Sequence, residues 1–318
     1  MLFEPTVMQL LGVDGTTYTL SEEYSTESSI MLRRGAKGLD APTYNVMADE
    51  YPAIDGGFVR YARATIREIF LPVTIYGTSR HEMLALKRRF IASLNPKKGL
   101  VQLQSTEHTP LSGDELVAEP VRSITCFYAS GMEGGEGDDN GHHWATYGIV
   151  LRATHPYFQH LTRTQDTFVN PASGGVLALD NTGDEETQPR WEIVGPLNSR
   201  ISMLRTDGAG TILDEMRFDA AFTLAEGEVL VIETAKGVQS IRRYPEVNPD
   251  GIYDPAEGDS MWFAFDVASP MWAVQPGLNH LELLIDMPSD MSSEELAAWV
   301  AANQPEITVS FLPSFLGI

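Results

Sequence analysis

The residues that could do chemistry in this chain fall in a few short stretches. EGDDNGHH (136–143) sets two aspartates and two histidines close together, a donor set that suits a divalent cation. It lies inside a thirteen-residue run, 131–143, that holds five glycines and four acids. Such a run has no strand or helix to fix ligand geometry, so the expectation is a solvated loop and no metal. Asp184-Glu185-Glu186 and Glu294-Glu295 are adjacent carboxylates. Glycoside hydrolysis needs two carboxyl groups facing each other across a sugar bond, which neighbours in a turn or at a helix start do not supply. The second pair opens a helical stretch, where the helix dipole alone favours acids. Gly-x-Ser-x-Gly, phosphate-loop and His-Glu-x-x-His patterns are absent, and the seven histidines sit in no catalytic frame. The expectation is a protein that is not an enzyme and takes no cofactor. The one cysteine, Cys126, lies in the apolar run ITCFY and reads as a small buried hydrophobe.

The elements are organised around residues 60–98. In IFLPVTIY, Ile69, Leu71, Val73 and Ile75 alternate toward one side, the period of a half-buried strand. Upstream, Ala62, Ala64 and Ile66 alternate in the opposite phase, which requires a bulge near Arg67–Glu68 or a break between two strands. Pro72 donates no ladder hydrogen bond and predicts an edge or bulged strand. Ser79 and Glu82 form a capping box, and Met83, Leu86, Phe90 and Leu94 make an apolar stripe, so a helix is predicted over 80–94. Pro96 stops it.

Charge divides the chain. The net is −22, yet residues 60–98 hold nine Lys/Arg against two acids. Residues 161–318 carry 8 Lys/Arg against 25 Asp/Glu, a net of −17. Free nucleic acid is an unsuitable partner for that half, because phosphate binding needs basic neutralisation. The basic segment reads either as a charged contact surface or as a solvated face. No stretch reaches 18 apolar residues, so no membrane-spanning helix is predicted. The start, MLFEPTVMQL, lacks the pattern of a signal peptide, and folding in a cytoplasm is expected.

Further strands are predicted at 101–104, 121–128 and 144–153, with Asp14-Gly15 as a hairpin turn. Pro276-Gly277 is a turn dipeptide, followed by Leu281, Leu283 and Ile285 in alternation. Ser292 and Glu295 cap a short helix, 292–302, ahead of the last strand.

The ordered set resembles one family. An Arg-bearing strand, then LPVTIYG, then a basic helix ending LNP (Arg63–Pro96) is similar to the distal tail protein (Dit) of long-tailed bacteriophages, also called the siphovirus-type tail component. HPYF (155–158) resembles the motif closing that family's first domain. Asn181-Thr-Gly-Asp with Pro189-Arg-Trp resembles the start of its second, galectin-like domain, and the Pro-Gly-x-Asn turn matches a later one. The resemblance covers roughly 59–318; the helix 292–302 departs from it.

The resemblance implies a mainly β protein of two domains: 1–159, β-sandwich-like with one helix and ring-forming, and 160–318, a galectin-like β-sandwich. It implies a structural part of the phage tail tip or baseplate in the virion, assembled in the host cytoplasm. Its partners would be five further copies in a hexameric ring, the tail tube, the tape measure and hub proteins, and receptor-binding or side-fibre proteins. DNA would only pass through the lumen. Arg63, Arg67, Lys87, Arg88 and Arg89 are the candidate ring interface. The alternative is a module binding host surface glycan, with Trp191, Trp262 and Trp272 as its platform; core packing is the favoured role for these three.

Overall fold

In the computed structural model, residues 6–20, 27–51, 55–110, 116–134, 142–168, 175–286 and 291–318 are described. The chain is mainly β and divides into two compact units, 1–161 with 315–318, and 162–314.

The first unit grows from the strand Arg67–Tyr76. Its predicted alternation holds: Ile69, Leu71, Val73 and Ile75 are fully buried. Trp144–Ala153 pairs with it along its whole length, from Arg67 opposite Ala153 to Tyr76 opposite Trp144. Its other side meets Ser29–Leu32, so it is not the edge strand that Pro72 predicted. Arg33 donates to the Pro72 carbonyl (2.7 Å), and Phe70 and Lys37 exchange two bonds at 3.0 Å. Pro72 therefore turns its missing donor toward residues 33–37, where the short neighbour has already ended, and the ladder loses nothing. Gly148 lies opposite Pro72, and a Cβ there would come within 2.6 Å of the Phe70 ring.

The sheet has nine strands, ordered along its main path Thr17–Thr19, Val7–Leu11, Val101–Thr106, Arg122–Ser130, Trp144–Ala153, Arg67–Tyr76, Ser29–Leu32. The Leu32 N–H donates to the Leu20 carbonyl (2.7 Å), joining the end of Thr17–Thr19 at one edge to Ser29–Leu32 at the other, so the sheet nearly closes on itself. The expected sandwich is thus replaced by a barrel-like sheet, which removes free edges. The helix Arg80–Ser93 packs Met83, Leu86 and Phe90 into this core, with Leu94 as its cap. Ser79 accepts from Glu82 N (3.2 Å), but the reciprocal half of the box is missing: the Glu82 carboxylate accepts from Ser28 Oγ (3.0 Å) and Thr78 Oγ1 instead.

The phase flip is a break between strands. Gly57–Ala64 leaves the sheet and, among the described residues, pairs only with Tyr44–Glu50.

In the second unit a six-stranded sheet (Thr164–Thr167, Glu306–Phe311, Arg190–Val194, Val229–Glu233, Ser240–Tyr244, Asp259–Ser260) and a four-stranded sheet (Val176–Asn181, Gly277–Ile285, Ile201–Thr206, Ile212–Arg217) share one core. Two buried asparagines brace its turns. Asn279 Nδ2 donates to the carbonyls of Gln275 (2.7 Å) and Gly277 (2.8 Å), holding the Pro276-Gly277 turn, where Gly277 has φ +82°. Asn181 Oδ1 accepts from Gly183 N (3.0 Å). The helix Ser293–Ala302 has the full capping box and sets Trp299 against the core.

The sequence reading placed everything after residue 159 in the second domain. In the structure Phe315 is buried in the first unit's core and 315–318 belong to that unit. Arg122 lies over the Phe315 ring at 4.2 Å, and the Ile318 N–H donates to Leu39 O (3.2 Å).

Candidate functional site

The five basic residues expected at an interface do not form one patch. Arg67 is 1 % exposed, so it is an interior residue and not a contact. Its Nη2 donates to the carbonyls of Asp40 and Leu316, and its guanidinium lies 5.1 Å from the Phe158 ring centroid. Desolvation pulls its pKa down from the ordinary arginine value. Lys87 is half-buried, its Nζ 4.8 Å from the centroid of Tyr147. Arg88 and Arg89 are exposed on the helix, and Arg63 is exposed on the separate strand Gly57–Ala64.

That strand and its partner form the most unusual surface of the molecule. Nearly every residue of Tyr44–Glu50 and Gly57–Ala64 is exposed, on both faces. The register puts Tyr44 opposite Ala64, Val46 opposite Ala62 and Ala48 opposite Val59, an apolar row on one face. The other face carries Asn45 with Arg63, Met47 with Tyr61, and Asp49 with Phe58. A bulge between these pairs leaves Arg60 unpaired in the ladder, and it forms an ion pair with Asp49. Phe58 is 67 % and Val59 64 % exposed. A two-stranded ribbon is marginal in water on its own. One that leaves an apolar row and two aromatic rings in solvent has the make-up of a surface that another chain covers. Composition hid this hairpin: alternation in Ala62, Ala64 and Ile66 reads as a half-buried strand, and only the missing second sheet reveals that neither face is covered.

The three tryptophans form no platform. Trp191 is fully buried and Trp272 is 5 % exposed; their rings meet edge to face at 5.6 Å, and Trp272 Nε1 donates to Met203 O (3.3 Å). Trp262 alone reaches the surface. Large aromatics on inward strand positions are core residues. Of the proposed metal loop, 136–141 lie outside the described residues, and the rings of His142 and His143 stand edge to face at 4.6 Å. Among the described residues no three His, Cys, Asp or Glu converge on a point. Glu295 is taken up in the helix cap, and Glu186 lies 3.6 Å from Lys236 Nζ. Cys126 is buried, as expected, and desolvation pushes its thiol up to about 12.

No protein-family model matches the chain. No curated protein matches it either. Among solved structures, the Dit protein of phage SPP1, described as a paradigm of the hub adsorption apparatus in phages infecting Gram-positive bacteria, is similar with a TM-score of 0.61. The match covers 98 % of this chain and 100 % of that one at 13 % identity, and it establishes a shared fold. A chain of the phage p2 baseplate in its activated conformation is similar at a TM-score of 0.46 and 10 % identity, over 96 % of this chain and 98 % of that one; no conclusion rests on it.

Proposed function

We propose that this chain is a structural component of a long-tailed phage tail tip, a distal tail protein whose first unit assembles into a hexameric ring between tail tube and hub. The observation that carries the reading is the shared fold with SPP1 Dit over essentially the full length of both chains, through both units in order. A closed ring needs a heterologous contact, in which one surface of a subunit meets a different surface of the next. The hairpin Tyr44–Ala64 supplies one such surface, apolar on one side and mixed on the other. Arg63, Arg88 and Arg89 supply exposed positive charge on the same unit. Tape measure and DNA would pass through the lumen, the second unit would be a galectin-like attachment domain for receptor-binding or side-fibre proteins, and no catalysis is required of any part.

The test is the solution mass by light scattering, followed by negative-stain imaging of the same peak. Six chains of 35.0 kDa give about 210 kDa. Reversal of Arg88 and Arg89 to Glu is expected to shift the mass toward the monomer. A wild-type monomer at every concentration, also in the presence of tube and hub proteins, would overturn the ring.

A further inference from the structure

The second unit carries a surface that the ring does not use. The loop after the strand Ser240–Tyr244 folds back over the outer face of the six-stranded sheet. The Tyr253 ring packs against Tyr244 at a 44° tilt with centroids 4.8 Å apart, and its hydroxyl accepts from Asn248 N (3.1 Å). Arg190 closes one side of the Tyr253 ring at 5.2 Å. These contacts hold open a groove of about 350 Å³ whose apolar lining is Tyr244, Pro245, Val247, Pro249, Ile252 and Tyr253. Ile252 is 74 % exposed, and Val247 is exposed beside it.

The charged side chains that line this groove are all acidic. Glu246, Asp254 and Glu257 line it, and Asp250 lies in the same loop. No Lys or Arg occurs between residues 244 and 260. The basic side chains nearest the groove are Arg190, against Glu192 (3.0 Å) and Glu233 (3.3 Å), Arg243, against Asp259 (3.0 Å), and Arg242, whose Nη1 donates to the Gly258 carbonyl (2.6 Å). Glu246, Asp250, Asp254 and Glu257 make no ion pair among the described residues. An apolar floor wants an apolar side chain, and a rim of uncompensated carboxylates wants ammonium or guanidinium groups on either side of it.

We infer that this groove is the docking site for a segment of another polypeptide in which Lys or Arg flanks an exposed aliphatic side chain. The occupant places the aliphatic group against Ile252 and Val247 and its cations between Glu246, Asp254 and Glu257. This binding is independent of the ring, because every residue involved belongs to the second unit.

The experiment titrates the full-length protein into a fluorescein-labelled decapeptide of alternating leucine and lysine, with a leucine–glutamine peptide as control, and reads anisotropy. The expected result is saturable binding of the lysine peptide, at least about tenfold weaker for the glutamine peptide and at ~500 mM salt than at ~50 mM. The variant Glu246→Gln/Asp254→Asn/Glu257→Gln is expected to lose at least about tenfold in affinity, and Ile252→Ser about threefold. A second triple, Asp180→Asn/Glu226→Gln/Glu294→Gln, removes the same charge from other exposed positions of the unit and is expected to bind nearly as wild type. Absence of binding, or equal loss in both triples, overturns the proposal. So does self-association of the protein that disappears in the groove triple, since the occupant would then be a second copy.

Discussion

Arg67 is a guanidinium with no carboxylate partner among the described residues, enclosed by an apolar core. Burying a charge costs several kcal/mol unless donors and acceptors close around it. Here Nη2 donates to the carbonyls of Asp40 and Leu316 and the ring of Phe158 lies against the guanidinium, while Nε and Nη1 find no hydrogen-bond partner among the described residues. Truncation removes that donor from both carbonyls and leaves a void behind. Arg67→Ala is therefore expected to destabilise the first unit by about 3–5 kcal/mol. The readout is faster hydrogen exchange in peptides covering 67–76 and 144–153, with peptides of 190–194 and 229–233 unchanged. Uniform exchange in all four would remove Arg67 from this role. The residue types were partly legible in sequence. Cys126 and the inward strand residues follow from period and context alone. Arg67 does not, because an arginine in a strand reads as exposed unless its acceptors are known, and one of them is 249 residues away.

At the scale of the element, local rules performed well wherever they were local. The caps at Ser79 and Ser292, the turns at Gly15 and Gly277, and the break before Arg67 all depend on residues within a few positions of one another. They failed where a neighbour from elsewhere decided the outcome. Ser28 takes half of the Ser79 box away, and a gap in the adjacent strand excuses Pro72. The hairpin Tyr44–Ala64 is the sharpest case, since its period is that of a half-buried strand and its burial is absent. Because Phe58 and Val59 are largely exposed, with Phe58 meeting the exposed Tyr51 ring edge to face, Phe58→Ser with Val59→Ser is expected to change folding stability by less than about 0.5 kcal/mol. The same change is expected to abolish the proposed ring, with light scattering as the readout. A loss of stability with the ring intact would show that the hairpin serves its own subunit.

For the whole molecule, the legible part is the succession of strands, and the illegible part is how the ends of that succession are joined. Nothing periodic marks residues 315–318 as part of the first unit. His160 reports on that junction: its ring lies 4.6 Å from Phe315. Burial, and then the nearby Arg122 charge, hold its pKa below the usual value, with Glu119 opposing. The folded state thus binds this proton less readily than the unfolded chain. Stability contributed at this site is full above about pH 6.5 and falls as pH drops through that value. The urea midpoint of the first unit is expected to decline between about pH 7.5 and 5.5, and His160→Gln to flatten the decline. A slope unaffected by the substitution would place the titrating group elsewhere.

The return of residues 315–318 to the first unit also orders events during synthesis. Arg67 emerges from the ribosome early, but the Leu316 carbonyl that completes its coordination follows only after the whole of 162–314 has been translated. At roughly 5–20 residues per second that interval is on the order of 10–30 s. Through this time Arg67 lacks one of its two carbonyl acceptors, and the second unit, continuous in sequence, is free to fold first.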